Sequence, residues 1–390
     1  MNRPAFLASN HPNGFLDGTI VGASNSFTMF IFVRGDVFKK SWSNIILRSL
    51  KLIPIFRVRD GYVRESVEEN NRSYDQLYKM FLRNKMVMIF PESDSIPVKR
   101  LRTLKKGTAR IVADMEGRGL KQNIAVVPTG LNYSFYGGFG KVLHMRFSSP
   151  IFFNDSLEAT TSLSAAMLDL TKNLHRKLSD VVFHVPKEME KVAETGFEII
   201  WASRKKNFRF IQRDEDDFAL HHNLGRLLQS ENKRNDFVTV VEKHKKDVSN
   251  LGLKYKGKVP GMLSVLVSVL LLIPSFLSFI PMYAITKIGI LIANISIRKM
   301  ELYDSVVYGV GVLLSLLIDV AGIVIFGILF GWIGILIFLI ARWLSALFYP
   351  SIDHLIRLQS ELKWHRYKLK HRAEYEALMK QRDSIFEMLR

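Results

Sequence analysis

A histidine and an aspartate near the start of the chain could act together in general-base chemistry. His11 lies in the turn at residues 10–14, where Asn, Pro and Gly cluster, and Asp17 follows in the first turns of the next predicted helix. An aspartate that holds one imidazole nitrogen fixes the tautomer and leaves the other nitrogen free as a base. The pair therefore predicts a base and its orienting carboxylate. Taken alone, the spacing is also compatible with a surface turn and an unrelated histidine.

The elements that position this pair are predicted to form an α/β domain over residues 1–192. Short apolar runs predict buried strands at residues 4–9, 53–56, 86–90, 125–128 and 144–147. Helical patterns are predicted at residues 15–32, 65–84 and 107–115. Such alternation indicates a mixed sheet flanked by helices.

Three further motifs follow in the chain. Residues 53–57 predict an apolar strand that ends in Arg57, residues 90–92 read Phe-Pro-Glu, and residues 126–128 predict an apolar strand that ends in Pro128. With the His-to-Asp motif, their order resembles the four motifs of the lysophospholipid and glycerol-phosphate acyltransferase family, which includes the bacterial 1-acylglycerol-3-phosphate acyltransferases. The resemblance implies an α/β acyltransferase domain.

The resemblance also implies a role for each matching residue. His11 would be the general base and Asp17 the carboxylate that orients it. Arg57 would bind the phosphate or carboxylate of the acceptor, because its planar guanidinium suits an anion. Glu92 would complete the acceptor site, and Pro128 would shape its wall.

Two residues after the third motif complete the predicted site. Lys105 and Gly107 stand where the family often has Lys and Gly before a helix, and backbone donors at a helix start could help to hold an anion. The alternative for Lys105 and its neighbour Lys106 is a solvated surface.

The sequence departs from the family pattern in two informative places. The His-to-Asp spacing is one residue longer than the commonest form and resembles a branch that includes fungal glycerol-phosphate acyltransferases. Ser93, Asp94 and Ser95 replace the usual Gly and Arg of the third motif, which removes an expected phosphate ligand. Either Arg100 or Arg102 could substitute. The loss favours, as an alternative acceptor, an amino-acid lipid or a sugar lipid.

The resemblance implies acyl transfer from acyl-CoA or acyl carrier protein to an acceptor hydroxyl, as in phospholipid biosynthesis. It requires no metal and no bound cofactor. Because the chain has 0 cysteines, a cysteine acyl-enzyme is excluded and direct displacement is expected. A different class of function, a non-catalytic membrane scaffold or lipid-binding protein, would follow if the site were degenerate.

Charge and hydropathy predict a membrane partner and argue against nucleic acid. The net charge is +19, yet residues 260–348 are almost wholly apolar, and basic residues flank the apolar blocks. We predict a helical connector at 193–258, membrane hairpins at 259–349 and a basic cytoplasmic helical tail at 350–390. The catalytic domain is expected on the same cytoplasmic face, because basic flanks favour that side.

The two apolar blocks predict different structures. Residues 260–281 are expected to form a re-entrant loop or a kinked pair of short segments, since their basic flanks should share one side. Residues 305–348 are about twice the length of one span and predict a tight helical hairpin. Asp319, inside the second block, should have a polar partner or water, or else lie near a shallow end. In the tail, one helical face carries Lys363, Arg366 and Lys370, with Trp364, Tyr367 and Leu369 among them. This pattern predicts a helix resting among lipid headgroups, and the alternative is a solvated cytoplasmic helix.

Overall fold

The chain divides into two compact units. The computed structural model describes residues 3–24, 28–38, 41–56, 65–120, 122–136, 142–203, 215–255, 261–296 and 300–390. The first unit comprises Met1–Tyr136 and Gly140–His184, and the second comprises Gly137–Phe139 and Val185–Arg390. The four-part division made from the sequence stays a prediction.

The first unit is a mixed α/β domain, as the sequence predicts. Its strands are β1 (Ala5–Ser9), β2 (Met29–Arg34), β3 (Leu52–Ile55), β4 (Met86–Ile89), β5 (Ala125–Tyr133), β6 (Leu143–Phe147) and β7 (Ile151–Phe152). Its α-helices are α1 (Gly14–Ser24), α2 (Ser41–Ser49), α3 (Glu65–Phe81), α4 (Gly107–Gly117), α5 (Phe153–Glu158) and α6 (Leu163–Ser179), with a short 3-10 helix at Gly35–Phe38.

The strands form one sheet in the order β3-β2-β4-β1-β5-β6, with β7 also paired to β5. The first five strands of that order are parallel, whereas β6 and β7 run antiparallel to β5. Parallel strands end at the same edge of a sheet, so the residues that follow β1 and β4 emerge close together. This edge holds the first and third sequence motifs.

Both faces of the sheet are buried, as parallel sheets require. Along β1, Phe6 and Ala8 join one core cluster, with residues of α3, α4 and α6. The alternate residues Ala5 and Leu7 join the cluster on the opposite face, with Val21 of α1. The strict alternation follows from the two-residue period of a strand.

The helix predicted at residues 15–32 was wrong. Residues 15–32 do not form a single helix, because α1 ends at Ser24 and Met29–Arg34 is strand β2. The β2 sequence is a continuous apolar run of Met, Phe, Ile and Val, and periodicity alone does not separate such a run from a buried helix. Its β-branched and aromatic residues favour the strand.

The strand of the fourth motif is longer than predicted. It does not end at Pro128, since β5 continues to Tyr133 and all nine of its residues are buried. Pro128 lies beside Ala8 of β1 in register, and its carbonyl accepts a hydrogen bond from the Ser148 amide at 2.9 Å. On that side β5 pairs with β7 up to Val126 and with β6 from Thr129. The missing proline N–H therefore faces the gap between two partner strands.

The second unit is helical. Its α-helices are α7 (Glu190–Ser203), α8 (Glu215–Gln229), α9 (Glu231–Asn250), α10 (Met262–Ser296), α11 (Met300–Ser345), α12 (Phe348–Lys370) and α13 (Arg372–Met388). Large apolar side chains of α10 and α11 are exposed along their length, including Ile273 at 71% and Ile328 at 79%. Two helical stretches, Met262–Ile295 and Tyr303–Lys370, are long and apolar enough to cross a membrane.

The first apolar block is neither a re-entrant loop nor a pair of short segments. Helix α10 runs for 35 residues with Pro274 and Pro281 inside it. At 1.5 Å per residue such a helix is about 50 Å long, more than the roughly 30 Å of a bilayer core. The prolines misled the sequence prediction, although membrane helices tolerate them. The shared cytoplasmic side of the basic flanks stays a prediction.

The second apolar block forms the expected hairpin. Helix α11 breaks at Gly331, whose φ of +62° is in the left-handed region that glycine adopts readily. Across the break, Asp319 forms a 2.7 Å ion pair with Arg342. A Cβ on Gly322 would lie 2.1 Å from the Phe338 ring, so any larger residue there would force that ring to move. Asp319 therefore has the polar partner that was one of its two predicted environments.

The basic tail forms two helices, and its predicted position among lipid headgroups stays a prediction. Its two helices, α12 and α13, pack within the helical unit. Trp364 is only 1% exposed, lies in a cluster with Val248 and Leu378, and donates a 2.9 Å hydrogen bond to the Lys254 carbonyl. The sequence prediction was wrong for Trp364, because this side chain contacts neighbouring helices. Of Trp364, Tyr367 and Leu369, which were expected to contact lipid headgroups, only Leu369 is largely exposed.

Candidate active site

The first motif forms a His–Asp pair at the carboxyl end of β1. His11 follows the strand, and Asp17 lies in the first turn of α1. The Nδ1 atom of His11 is 2.9 Å from Oδ2 of Asp17. The Asp17 side chain is fully buried, whereas the His11 side chain is 16% exposed. The geometry orients the imidazole through Nδ1 and leaves Nε2 as the nitrogen for a proton from an acceptor.

The Asp17 carboxylate accepts hydrogen bonds at both oxygens. Oδ2 also accepts from the Asn13 amide at 2.9 Å, which closes the turn between β1 and α1. Oδ1 accepts from the Tyr133 hydroxyl at 2.8 Å, from the far end of β5. A buried carboxylate with this many donors has its polar atoms satisfied and its rotamer fixed.

The imidazole of His11 also has a fixed plane. Its ring stacks on Phe90, with centroids 3.8 Å apart and an interplanar angle of 16°. Phe90 follows β4, the parallel neighbour of β1, so the stacking brings the first and third motifs into contact. The ring is therefore held by the Phe90 face and by the hydrogen bond to Asp17.

Glu92 binds the protein's own donors. Its Oε2 atom accepts from the His11 amide and from Nη2 of Arg102, each at 2.9 Å, and Oε1 accepts from the Arg102 amide at 2.7 Å. The Glu92 side chain is 2% exposed, so these bonds satisfy a buried charge. Glu92 thus fixes the position of the His11 backbone, and its predicted contact with the acceptor stays a prediction.

The loop after Glu92 covers the histidine turn. The Ile96 amide donates to the His11 carbonyl at 3.1 Å, and the Gly14 amide donates to the Ser95 hydroxyl at 2.7 Å. Arg102 also donates to the Asp94 carbonyl. Ser95, one of the three residues that replace the usual Gly and Arg of the third motif, therefore caps a backbone donor at the start of α1.

The remaining predicted site residues lie in different surroundings. Arg57 falls outside the described residues. Lys105 and Gly107 are exposed at the start of α4, as is Lys106, and Pro128 is buried within β5. The structure thus brings His11, Asp17 and Glu92 into one network, whereas the roles assigned to Lys105, Gly107 and Pro128 stay predictions.

Three residues have positioning roles that the sequence did not predict, and one of them, Arg102, was predicted only as a possible phosphate ligand. Asn10 exchanges two side-chain hydrogen bonds with the backbone of Leu131, at 2.9 and 2.7 Å, and so joins the ends of β1 and β5. Arg102 balances Glu92, and Tyr133 binds Asp17. Asn10 adjoins His11 in the sequence, which is a usable signal, but nothing in the sequence pairs Tyr133 with a residue 116 positions away.

No cluster of metal ligands occurs in the described residues. Nowhere in them do three or more His, Cys, Asp or Glu side chains come together as a metal site needs. The predicted independence of metal and cofactor stays a prediction.

Comparison with known proteins identifies the segment that contains this site. A family model described as Acyltransferase matches residues 1–132. Residues 1–132 form an acyltransferase domain. All seven site residues predicted from the sequence lie inside this matched segment, and the protein is accordingly an acyltransferase.

Other comparisons add a description of one similar structure. The acyltransferase is similar to the crystal structure of the 1-acyl-sn-glycerophosphate (LPA) acyltransferase, PlsC, from Thermotoga maritima, at 13% sequence identity and a TM-score of 0.32. The similarity covers 46% of this chain and 67% of that one. Comparison with curated protein sequences gave no match.

Proposed function

We propose that this acyltransferase moves a fatty acyl group from acyl-CoA or acyl carrier protein to a hydroxyl of a glycerol-phosphate or lysophospholipid acceptor, in phospholipid biosynthesis. The observation that supports the proposal most directly is the His11–Asp17 pair, which lies inside the matched family segment with Nδ1 and Oδ2 2.9 Å apart. An oriented, partly exposed imidazole is the group that acyl transfer to a hydroxyl requires.

In the proposed reaction, Nε2 of His11 takes the proton of the acceptor hydroxyl as its oxygen attacks the thioester carbonyl. The C–O bond forms, the C–S bond breaks, and the proton on His11 passes to the departing thiolate. Asp17 stabilises the transient imidazolium through Nδ1. The products are an ester and a free thiol. The reaction needs no enzyme nucleophile, because the acceptor oxygen attacks directly.

The membrane part of the proposal rests on the helical unit. Helices α10 and α11 expose large apolar side chains on a scale that soluble surfaces rarely show. The acyl chain of the substrate also requires an apolar environment, since each CH₂ group exposed to water costs about 0.8 kcal/mol. A membrane-bound acyltransferase with its catalytic domain at the cytoplasmic face satisfies both.

A specific observation favours a second acceptor class, an amino-acid lipid or a sugar lipid. Ser95 is neutral, and the guanidinium of Arg102 is bound to Glu92, so Arg102 does not supply an unopposed cation for a phosphate. The third candidate, a non-catalytic lipid-binding protein, has less support, because such a protein has no need for an oriented His–Asp pair.

The test is an acyl-transfer assay with the purified, detergent-solubilised protein. Palmitoyl-CoA and palmitoyl acyl carrier protein are each offered with glycerol 3-phosphate, lysophosphatidate, a lyso-amino-acid lipid or a glycolipid, and products are identified by mass spectrometry. We expect one new ester and one equivalent of free thiol with a phosphate-bearing acceptor. A product with the amino-acid or sugar lipid alone selects the second class, and binding without product selects the third.

A further inference from the structure

We propose that Tyr133 is a positioning residue for the catalytic pair, acting through Asp17. The inference rests on the proposed function, since it assumes that His11 is the base. Tyr133 ends β5 and is 1% exposed, and its hydroxyl donates to Oδ1 of Asp17 at 2.8 Å. His11 and the Asn13 amide occupy the other oxygen, Oδ2.

This division of the carboxylate gives Tyr133 a defined task. With Oδ2 alone bound, the carboxylate could turn partway about its Cβ–Cγ bond and lose its alignment with Nδ1 of His11. The Tyr133 bond to Oδ1 opposes that rotation, so Oδ2 stays directed at Nδ1 of His11. The imidazole must keep this partner when it becomes charged in the reaction, and a rotated carboxylate would leave the imidazolium without it.

The surrounding contacts hold the Tyr133 hydroxyl at Asp17. Asn10 is bound to the backbone of Leu131, two residues before Tyr133, and thereby fixes the register between the histidine turn and the end of β5. Nζ of the buried Lys99 donates to the carbonyls of Tyr133 and Ser134 at 3.0 and 2.7 Å. Both anchors bind backbone atoms, so the hydroxyl is directed by the strand itself.

A nearby tyrosine provides a matched control. Tyr136 lies three residues further along, its ring centroid is 5.9 Å from that of Tyr133, and its hydroxyl donates to the Val98 carbonyl at 3.0 Å. Tyr133→Phe and Tyr136→Phe each remove one bonded hydroxyl from the same region and keep the ring. Only the first removes a bond to Asp17.

The experiment measures kcat and KM of the full-length protein and both variants with the substrates found above, normalised to the folded fraction. Tyr133→Phe should lower kcat about 10-fold and change each KM less than about two-fold, because the lost bond is to the charged carboxylate that orients the base. Tyr136→Phe should keep kcat within about two-fold of wild type. The same substitution is also made in an Asp17→Ala background, where the rate is measured in single turnover with enzyme in excess. There Tyr133→Phe should lower the rate by less than about a further two-fold.

Three results would overturn the inference. The first is a kcat of Tyr133→Phe that lies within two-fold of wild type or that the folded fraction alone explains. The second is an equal loss of kcat in Tyr136→Phe. The third is that Tyr133→Phe lowers the rate equally with and without Asp17. The proposed function is tested separately by His11→Ala. If His11→Ala is inactive and Tyr133→Phe is unaffected, only this inference fails, whereas an active His11→Ala removes its premise.

Discussion

At the scale of single residues, Ser93 occupies a backbone conformation that suits glycine. Its φ is +72°, in the left-handed region. Ser93 occupies the position at which the family that the sequence resembles has the glycine of its third motif. An L-residue pays about 1–2 kcal/mol there because Cβ crowds the following carbonyl oxygen. The amide of Ser93 donates to the Phe90 carbonyl at 3.0 Å, so this turn directs Glu92 towards the His11 amide.

Ser93→Gly should therefore stabilise the catalytic domain. Relief of the strained conformation exceeds the added entropy of glycine in the unfolded chain by about 0.5 kcal/mol, and activity should not fall. Chemical denaturation followed by tryptophan fluorescence or limited proteolysis measures the change. Ser49→Gly, at the exposed end of α2, is the control and should not stabilise. A destabilised Ser93→Gly protein would contradict this account of the turn.

The catalytic pair could be predicted from the sequence, but the third member of its network could not. His11 and Asp17 are joined by one turn, so their proximity follows from local structure. Tyr133 reaches Asp17 only because β5 lies parallel to β1 and extends past Pro128. A one-residue error in that register would turn Tyr133 to the opposite face. Such a contact depends on the assembled sheet.

At the scale of elements, the hairpin of α11 is held by a polar cluster in an apolar environment. Arg342 bonds to Asp319 at 2.7 Å, to Ser315 at 2.5 Å and to Ser345 at 3.2 Å. These residues come from both arms of the hairpin, on either side of Gly331. Charges in hydrocarbon are costly unless they are paired, and here each charge has a partner on the opposite arm.

Removing one charge of this pair should destabilise the hairpin more than removing both. Asp319→Ala or Arg342→Ala should each cost about 3 kcal/mol, because the other charge remains unpaired in an apolar environment. The double variant should recover much of that loss. Thermal unfolding in detergent and the yield of membrane-inserted protein measure the effect.

Arg372→Ala is the control for that series. Arg372 forms a 3.0 Å ion pair with Glu376 in which both side chains are largely exposed, so its loss should cost less than about 1 kcal/mol. A double variant as damaged as the sum of the two singles would show that Asp319 and Arg342 act independently and would contradict the pairing.

The elements that sequence reasoning missed share one cause. Strand β2 is apolar up to Arg34 and helix α10 is almost wholly apolar, so neither displays the amphipathic period that separates strand from helix. Prolines predict a break in α10, but in a long apolar helix neighbouring groups can satisfy the carbonyls that proline leaves free. The hairpin was predictable because its length and its central glycines are local features.

At the scale of the whole molecule, the tail contributes to the core of the helical unit. Trp364 of α12 and Leu378 of α13 are buried with Val248 of α9. Gln381 of α13 bonds to Asp247 at 3.0 Å and to His244 at 3.3 Å. Truncation after Pro350 would remove this packing, so we expect it to unfold part of the helical unit as well as to remove basic charge.

Trp364→Ala should test this assignment more cleanly than truncation. Loss of a fully buried tryptophan and of its bond to the Lys254 carbonyl should cost about 3–5 kcal/mol. The matched control is Trp332→Ala. Because Trp332 is 74% exposed, its loss should lower the free energy of unfolding in detergent by less than about 1 kcal/mol. Equal effects in thermal unfolding would mean that Trp364 does not pack as described.

The central claim is that His11 is the base of an acyltransferase, and His11→Ala tests it most directly. The rate of ester formation by the purified protein is compared with wild type and with His175→Ala, an exposed histidine on α6. Loss of a general base should lower kcat about 100- to 10,000-fold while the thermal unfolding temperature stays near wild type, and His175→Ala should stay within about two-fold. A folded His11→Ala protein that keeps more than half of the wild-type rate would contradict the account.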